Sequence, residues 1–443
     1  MENLDATIIT TALPAMAQSF GVEPARLSIG LSAYLLAIAV GIPASGWLAD
    51  RFGPRRMFTL AIVVFTLSSI WCGLSGSLAS STAARVLQGL GGALMVPVGR
   101  LVVLRTTAKK DLVRAIATIT WPGLAAPVLG PALGGWIATH WGWHWIFFLN
   151  VPLGLLALWA ARRLIHEGPT AQVRRFDGWG FGLTAVGCSL LMLGVEWASH
   201  RPVNGLLALA WRHFQRSPAP LLSLEPLRVP TFAVTVVGGS LFRIALGSAP
   251  FLLPLMFQLA LGFSAVDAGL MLLALFAGNL LIKPATTPML RRWGFRRLLL
   301  GNGLLVAAGF AACAAFTRET PVALIAAVLF VCGVNRSIQF TALNTLAFAD
   351  IAQPRMSDAS TLTSMLQQFN TGLGIAVGAL ALSVAAWLLG ADDAGAASLP
   401  PAAFRWALAA SSGLALLALL DARRLPADAG AHVSGHRPAP LAR

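Results

Sequence analysis

The chain has 443 residues, 57% hydrophobic and 11% charged, with a mean hydropathy of +0.74. Soluble domains carry roughly a quarter charged residues, so a water-soluble fold of this length is excluded. The formal net charge of +15 would suggest a nucleic-acid partner in a soluble protein. Here its distribution reports membrane orientation instead, and no nucleic acid is expected as a partner.

A membrane-crossing helix needs about 20 mostly apolar residues, and runs of that kind recur between short segments rich in Arg, Pro and Gly. The runs are continuous rather than alternating, which favours helices over the strands of a membrane β-barrel. A first bundle is predicted from Leu4 to Phe20, Leu27 to Ala49, Met57 to Leu74, Ser81 to Leu104, Leu112 to Ala138 and Trp145 to Leu164. After a basic linker come Gly178 to Trp197, a weak candidate at Asn204 to Trp211, and then Phe232 to Leu259, Ala265 to Pro284 and Leu298 to Phe316. Val322 to Phe348, Thr361 to Leu389 and Phe404 to Leu420 complete the series.

The expected fold class is therefore an all-α polytopic membrane protein of two six-helix bundles with an inserted helix pair, 13 to 14 spans in all. The divisions are 1–165 for the first bundle, 166–229 for the linker and inserted pair, 230–425 for the second bundle, and 426–443 for a disordered cytoplasmic tail.

With a cytoplasmic N-terminus, most of the 32 Lys and Arg residues fall on the cytoplasmic side, among them Arg51 to Arg56, Arg105 to Arg114, Arg162 to Arg175 and Arg291 to Arg297. Arg26, Arg201, Arg318 and Arg405 fall outside. The positive-inside rule then puts both termini in the cytoplasm and the protein in the inner membrane. Asn204 to Trp211 is too short to cross about 30 Å at 1.5 Å per residue, yet omitting it inverts every later loop. A shortened or tilted crossing is inferred. The first helix is also short, and about ten upstream residues are expected to be missing from it.

ADRFGPRR at Ala49 to Arg56 recurs as LRRWGFRR at Leu290 to Arg297, each copy joining the second and third helices of its bundle. Duplicated halves place a transporter's substrate site between them, near the midplane. Cys72, Cys188, Cys313 and Cys332 each sit alone in apolar runs and read as small buried hydrophobes.

LDATIITTALP from Leu4, GWLADRFGPRR from Gly46, RVLQGLGGA from Arg85 and PVLGPALGGW from Pro127 together resemble the major facilitator superfamily, specifically its fourteen-helix drug:proton antiporters. WHWIFFLNVPLG from Trp143 and TLTSMLQQFNTGLG from Thr361 extend the likeness over nearly the whole chain. The resemblance implies a multidrug-efflux type of secondary transporter that exports small amphipathic molecules in exchange for protons by alternating access. An uptake symporter or facilitator of the same fold, or a transport-incompetent family member, remain alternatives. A membrane-fusion partner and an outer-membrane channel are the protein partners such an exporter would take, and no motif carries them.

Arg85 lies within the fourth predicted helix, where an unpaired cation is costly, and Asp5 in the first is its expected partner. The resemblance assigns this pair to proton coupling; a purely structural ion pair is the competing explanation. In the first repeat copy Gly46 and Gly53 allow tight turns, Asp50 can accept hydrogen bonds, and Arg51, Arg55 and Arg56 hold the cytoplasmic surface. By resemblance these six form a cytoplasmic gate, and Arg291 replaces Asp50 in the second copy. Gly130, Pro131, Gly134 and Gly135 permit close helix contact and resemble the motif that separates exporters from importers.

Asp5 stands as the single clear acid at mid-membrane depth, against Arg85, Arg100, Arg243, Lys283 and Arg336. The expected cavity, with Gln88, Arg243, Lys283, Arg336, Asn344 and Gln367 as candidate lining, is neutral to positive and suits uncharged or anionic substrates. No phosphate-cradling GxxxxGK[ST] motif and no facing set of catalytic side chains is present, so neither an ATP-driven pump nor an enzyme is expected, nor any cofactor or metal.

Overall fold

The computed structural model describes residues 1–106, 126, 128–165, 176–196, 225–351, 356–390, 399–426 and 428–431. Among these residues there is no β-strand. The predicted crossing at Asn204 to Trp211, the start of the fifth helix up to residue 125, most of the 166–229 linker and the tail from residue 432 lie outside the described residues, as do the basic residues on them.

The first membrane segment is broken. Helix α1 (Glu2–Ile8) passes through a 3₁₀ turn at Ile9–Thr11 into α2 (Leu13–Phe20). The sequence predicts one unbroken helix here, but Pro14 has no N–H to continue the ladder, and the hydroxyls of Thr10 and Thr11 donate to the carbonyls of Thr7 (2.7 Å) and Ile8 (3.4 Å). Helix α3 (Ser28–Phe52) turns into α4 (Pro54–Gly73) at Gly53, whose φ of 87° and ψ of 138° only glycine adopts readily. Then follow α5 (Leu78–Thr106), α6 (residues 128–140), α7 (His144–Leu164, with one turn residue between its two pieces) and α8 (Gly178–Glu196).

Helix α9 (Pro230–Ala260) contains two π-helical turns, at Val234–Gly238 and Met256–Ala260, and Pro250 and Pro254 within its length. The second turn begins just after Pro254, where the proline ring and its missing donor widen the helix. Helix α10 (Ala265–Leu281) is capped by the Ser264 hydroxyl, which accepts from the Asp267 amide. Helix α11 (Lys283–Ala314) bends at Gly294, with φ 70° and ψ 165°. The sequence leaves Lys283 to Arg297 largely as a loop; the chain stays helical up to that glycine. Helices α12 (Val322–Ala349), α13 (Met356–Leu388) and α14 (Pro401–Ala422) match their predicted spans to within a few residues.

Eight of the described helices are long and apolar enough to cross a membrane, and α10 is a shorter apolar helix. Leu155, Leu156, Trp159 and Trp406 point outward, each about 60% exposed or more. Water would penalise such a surface, whereas lipid tails match it. In the first bundle α3 and α4 pack along α5; in the second α9 packs on α13 and α14, α10 on α12, and α11 on α12 and α14. Across the seam α3 lies along α13, with the Ser32 hydroxyl donating to the Gly372 carbonyl at 3.2 Å. Helix α8 packs on both α3 and α13, with Cys188 among Ala39 and Phe369.

Candidate functional site

Asp5 on α1 and Arg85 on α5 are both 1% exposed and form an ion pair between Oδ2 and Nη1. One turn beyond Arg85, Gln88 accepts from Arg85 Nη1 at 2.6 Å and donates from Nε2 to Asp5 Oδ1 at 3.0 Å. The same amide donates to the Ser69 hydroxyl on α4 at 2.8 Å. Asn150 on α7 donates to Asp5 Oδ1 at 2.7 Å and to Ser69 at 3.3 Å. The Arg85 guanidinium carbon stands 3.9 Å from the centre of the Tyr34 ring on α3. Residues of five helices thus meet in one cluster, and the negative charge of the Asp5 carboxylate is matched by the Arg85 cation and two amide donors. Arg85 keeps two buried nitrogens, Nε and Nη2, without hydrogen-bond partners.

The pairing of Asp5 with Arg85 is the one the sequence predicts. Gln88, expected in the cavity, is 0% exposed and belongs to this network instead. Ser69, Tyr34 and Asn150 escape sequence reasoning, although an Asn inside the apolar WHWIFFLNVPLG run is a signal in itself. Glu2 corrects the expectation of a single mid-membrane acid. It lies one turn before Asp5, is 7% exposed, and accepts from Gln368 Nε2 on α13 at 3.5 Å. Its carbonyl also accepts from the Tyr34 hydroxyl at 3.5 Å.

The six residues of the predicted gate sit where α3 meets α4. Gly53 makes the turn, but Gly46 lies inside α3 with open space where a Cβ would stand, so the tight-turn expectation fails there. Arg51 lies over the rings of Trp47 (5.4 Å) and Phe52 (5.6 Å). Arg55 Nη2 donates to the Arg162 carbonyl on α7 at 2.9 Å, and Asp50 and Arg56 are also engaged in contacts.

Gly130, Gly134 and Gly135 on α6 are places of close backbone approach. A Cβ would lie 2.2 Å from Thr7 Oγ1 at Gly130, 2.0 Å from the Ile8 carbonyl oxygen at Gly134, and 2.2 Å from the Ala265 carbonyl oxygen at Gly135. Pro131 offers its carbonyl to the Thr11 hydroxyl at 3.2 Å and faces Gly269 of α10. The four residues therefore join α1 to the second bundle.

Of the remaining cavity candidates only Arg336 lines the cavities described here. Arg243, 2% exposed, donates to the Thr235 carbonyl at 3.1 Å and to Asn344 Oδ1 at 3.2 Å, so Asn344 is taken up by Arg243, whose Nε has no partner. Lys283 is half-buried at the start of α11, and Gln367 is half-buried with its carbonyl accepting from Thr371. Helix rotation decides which polar side chains face a cavity, and helices apolar on every side carry little sequence record of it.

Two helix bundles in contact along a seam, with a desolvated ion pair in one and a cationic cavity between them, define a polytopic helical carrier of the membrane. The family model described as Major Facilitator Superfamily matches residues 1–379. Curated relatives called "Putative multidrug resistance protein MdtD" include that of Pectobacterium atrosepticum, 38% identical over 398 residues, covering 87% of this chain and 85% of the relative. That of an Escherichia coli O45:K1 strain is 38% identical over 400 residues, covering 87% and 84%. Among solved structures, a bacterial homologue of the human lysosomal transporter Spinster aligns with a TM-score of 0.69 at 16% identity, covering 99% of this chain and 96% of that one. A D-xylose-proton symporter aligns at 0.68 and 17%, covering 97% and 96%. The chain belongs to the major facilitator superfamily and is a multi-pass membrane transporter.

Proposed function

We propose that this transporter exports small amphipathic molecules in exchange for protons by alternating access. The observation that carries the reading is the Asp5 carboxylate, held at 1% exposure by Arg85, Gln88 and Asn150 at the meeting point of α1, α4, α5 and α7. A proton taken up there removes the charge that anchors Arg85, so protonation and helix packing are coupled through one side chain. The relatives called multidrug resistance proteins support the export direction.

In this reading residues 1–165 and 230–425 are the two bundles that rock about the seam, and 166–229 is the linker with the inserted helix pair. The arginine clusters at Arg51 to Arg56 and Arg291 to Arg297 face the cytoplasm with both termini, in the inner membrane. Gly53, Asp50 and the neighbouring arginines act as the cytoplasmic gate, and the protein carries out no covalent chemistry. The test is efflux of fluorescent cationic, neutral and anionic compounds from cells expressing the chain. Uncoupler-sensitive efflux that disappears in Asp5→Asn and Arg85→Ala is expected; uncoupler-insensitive or mutation-insensitive efflux sinks the coupling role.

A further inference from the structure

The second bundle holds a half-buried cation that no acidic side chain pairs with among the described residues. Arg336, on α12, stacks over Phe276 (5.8 Å) and Phe340 (5.7 Å), and its Nη1 is buried without a hydrogen-bond partner. Two cavities meet at this residue. One lies between the bundles, with Thr7 and Thr10 of the first bundle facing Pro250 and Phe276 of the second. The other runs into the second bundle among Leu246, Val306, Phe310 and Cys332. Ala249, Leu253, Leu275 and Arg336 border both.

No acidic side chain lines either cavity. The other buried cation of this bundle, Arg243, is bonded to neutral oxygens alone, and Nε has no partner. A buried guanidinium with an unmade hydrogen bond is costly, and the cost falls when an anion completes its fork. An apolar lining with one placed polar group is the usual form of a small-molecule site, and the space beside Arg336 is closed to about water size in this state.

We propose that Arg336 is the anchor of an anion-binding substrate site, taking small amphipathic carboxylates or sulfonates with the charged end on its guanidinium and the apolar body among Leu246, Leu253 and Phe310. Thr7 and Thr10 line the facing wall and bring the first bundle up to the same ligand. This deepens the transport reading above and names its substrate class.

The test uses the purified full chain in lipid nanodiscs and two probes with one body and different charge, 1-naphthaleneacetate and 1-naphthaleneacetamide. The carboxylate is expected to bind about 10-fold or more tighter than the amide. Arg336→Gln abolishes that preference and Arg336→Lys keeps part of it. Equal affinities in the unaltered protein, binding of neither probe, or a preference that survives Arg336→Gln each overturn the site. Should Arg336→Gln fail to insert, the probe pair on the unaltered protein decides alone. Uncoupler-sensitive efflux of neutral or cationic compounds without anion preference would remove this site and leave the exporter standing. Anion preference in binding without any efflux would keep the site and remove the exporter.

Discussion

Arg55 donates to the carbonyl of Arg162 at 2.9 Å, and the repeat places an equivalent clasp in the other bundle, where Arg296 donates to the carbonyl of Arg423 at 3.1 Å. In each bundle a guanidinium just after the left-handed glycine, Gly53 or Gly294, ties the third helix to the C-terminal end of the sixth. A cation there also meets the negative end of the helix dipole. Arg55→Ala and Arg296→Ala are each expected to lower stability by about 0.5–1.5 kcal/mol, the range of a net hydrogen bond, with additive effects because the sites lie in different bundles. Thermal unfolding of the single and double variants in nanodiscs measures both quantities.

Asp5→Asn leaves the Arg85 charge desolvated and unpaired, a defect that costs about 3–5 kcal/mol in buried pairs. Adding Arg85→Gln removes the orphan, so the double variant is expected to be more stable than Asp5→Asn alone. A thermal midpoint for the double variant at or below that of the single would show that the pair is not the dominant interaction in the cluster.

Asn150→Leu removes one donor from Asp5 and one from Ser69, both in a dry setting. Loss of about 1–3 kcal/mol is expected. Full stability in this variant would mean that Arg85 and Gln88 satisfy the carboxylate without Asn150.

The glycines separate into classes that alanine scanning can distinguish. Gly134→Ala drives a methyl to 2.0 Å from a backbone oxygen of α1 and is expected to abolish stable insertion or transport. Gly53→Ala meets no atom but strains the backbone at φ 87°, costing about 1–3 kcal/mol. Gly46→Ala meets neither obstacle and is expected to be neutral or stabilising by about 0.5–1 kcal/mol, as for glycine replaced in a helix interior. Expression yield and thermal midpoints order the three.

The Asp5 and Arg85 contact was legible because lipid leaves two isolated opposite charges little choice of partner. The turn at Gly53 was legible from the glycine itself in ADRFGPRR, and its counterpart in the repeat, Gly294, shares the positive φ. The break at Ile9–Thr11 and the burial of Glu2 were not legible, since the first depends on local threonine bonding and the second on α13 crossing the N-terminal turn. Cavity lining was the least legible. Arg243, Lys283 and Arg336 look alike as cations in apolar runs, and only the rotation of α9, α11 and α12 assigns one to a neutral amide, one to a half-buried helix start and one to the void.

At Gly134 and Gly135 the backbone of α6 comes directly against the carbonyl oxygens of Ile8 and Ala265, with the small Thr11 side chain also beside Gly134. Interdigitated side chains behave as gear teeth and resist rotation, whereas bare backbone on bare backbone behaves as a smooth bearing. In the proposed alternating-access cycle such a contact would let the two bundles roll over a small angle without unpacking a core, with α6 as the axle.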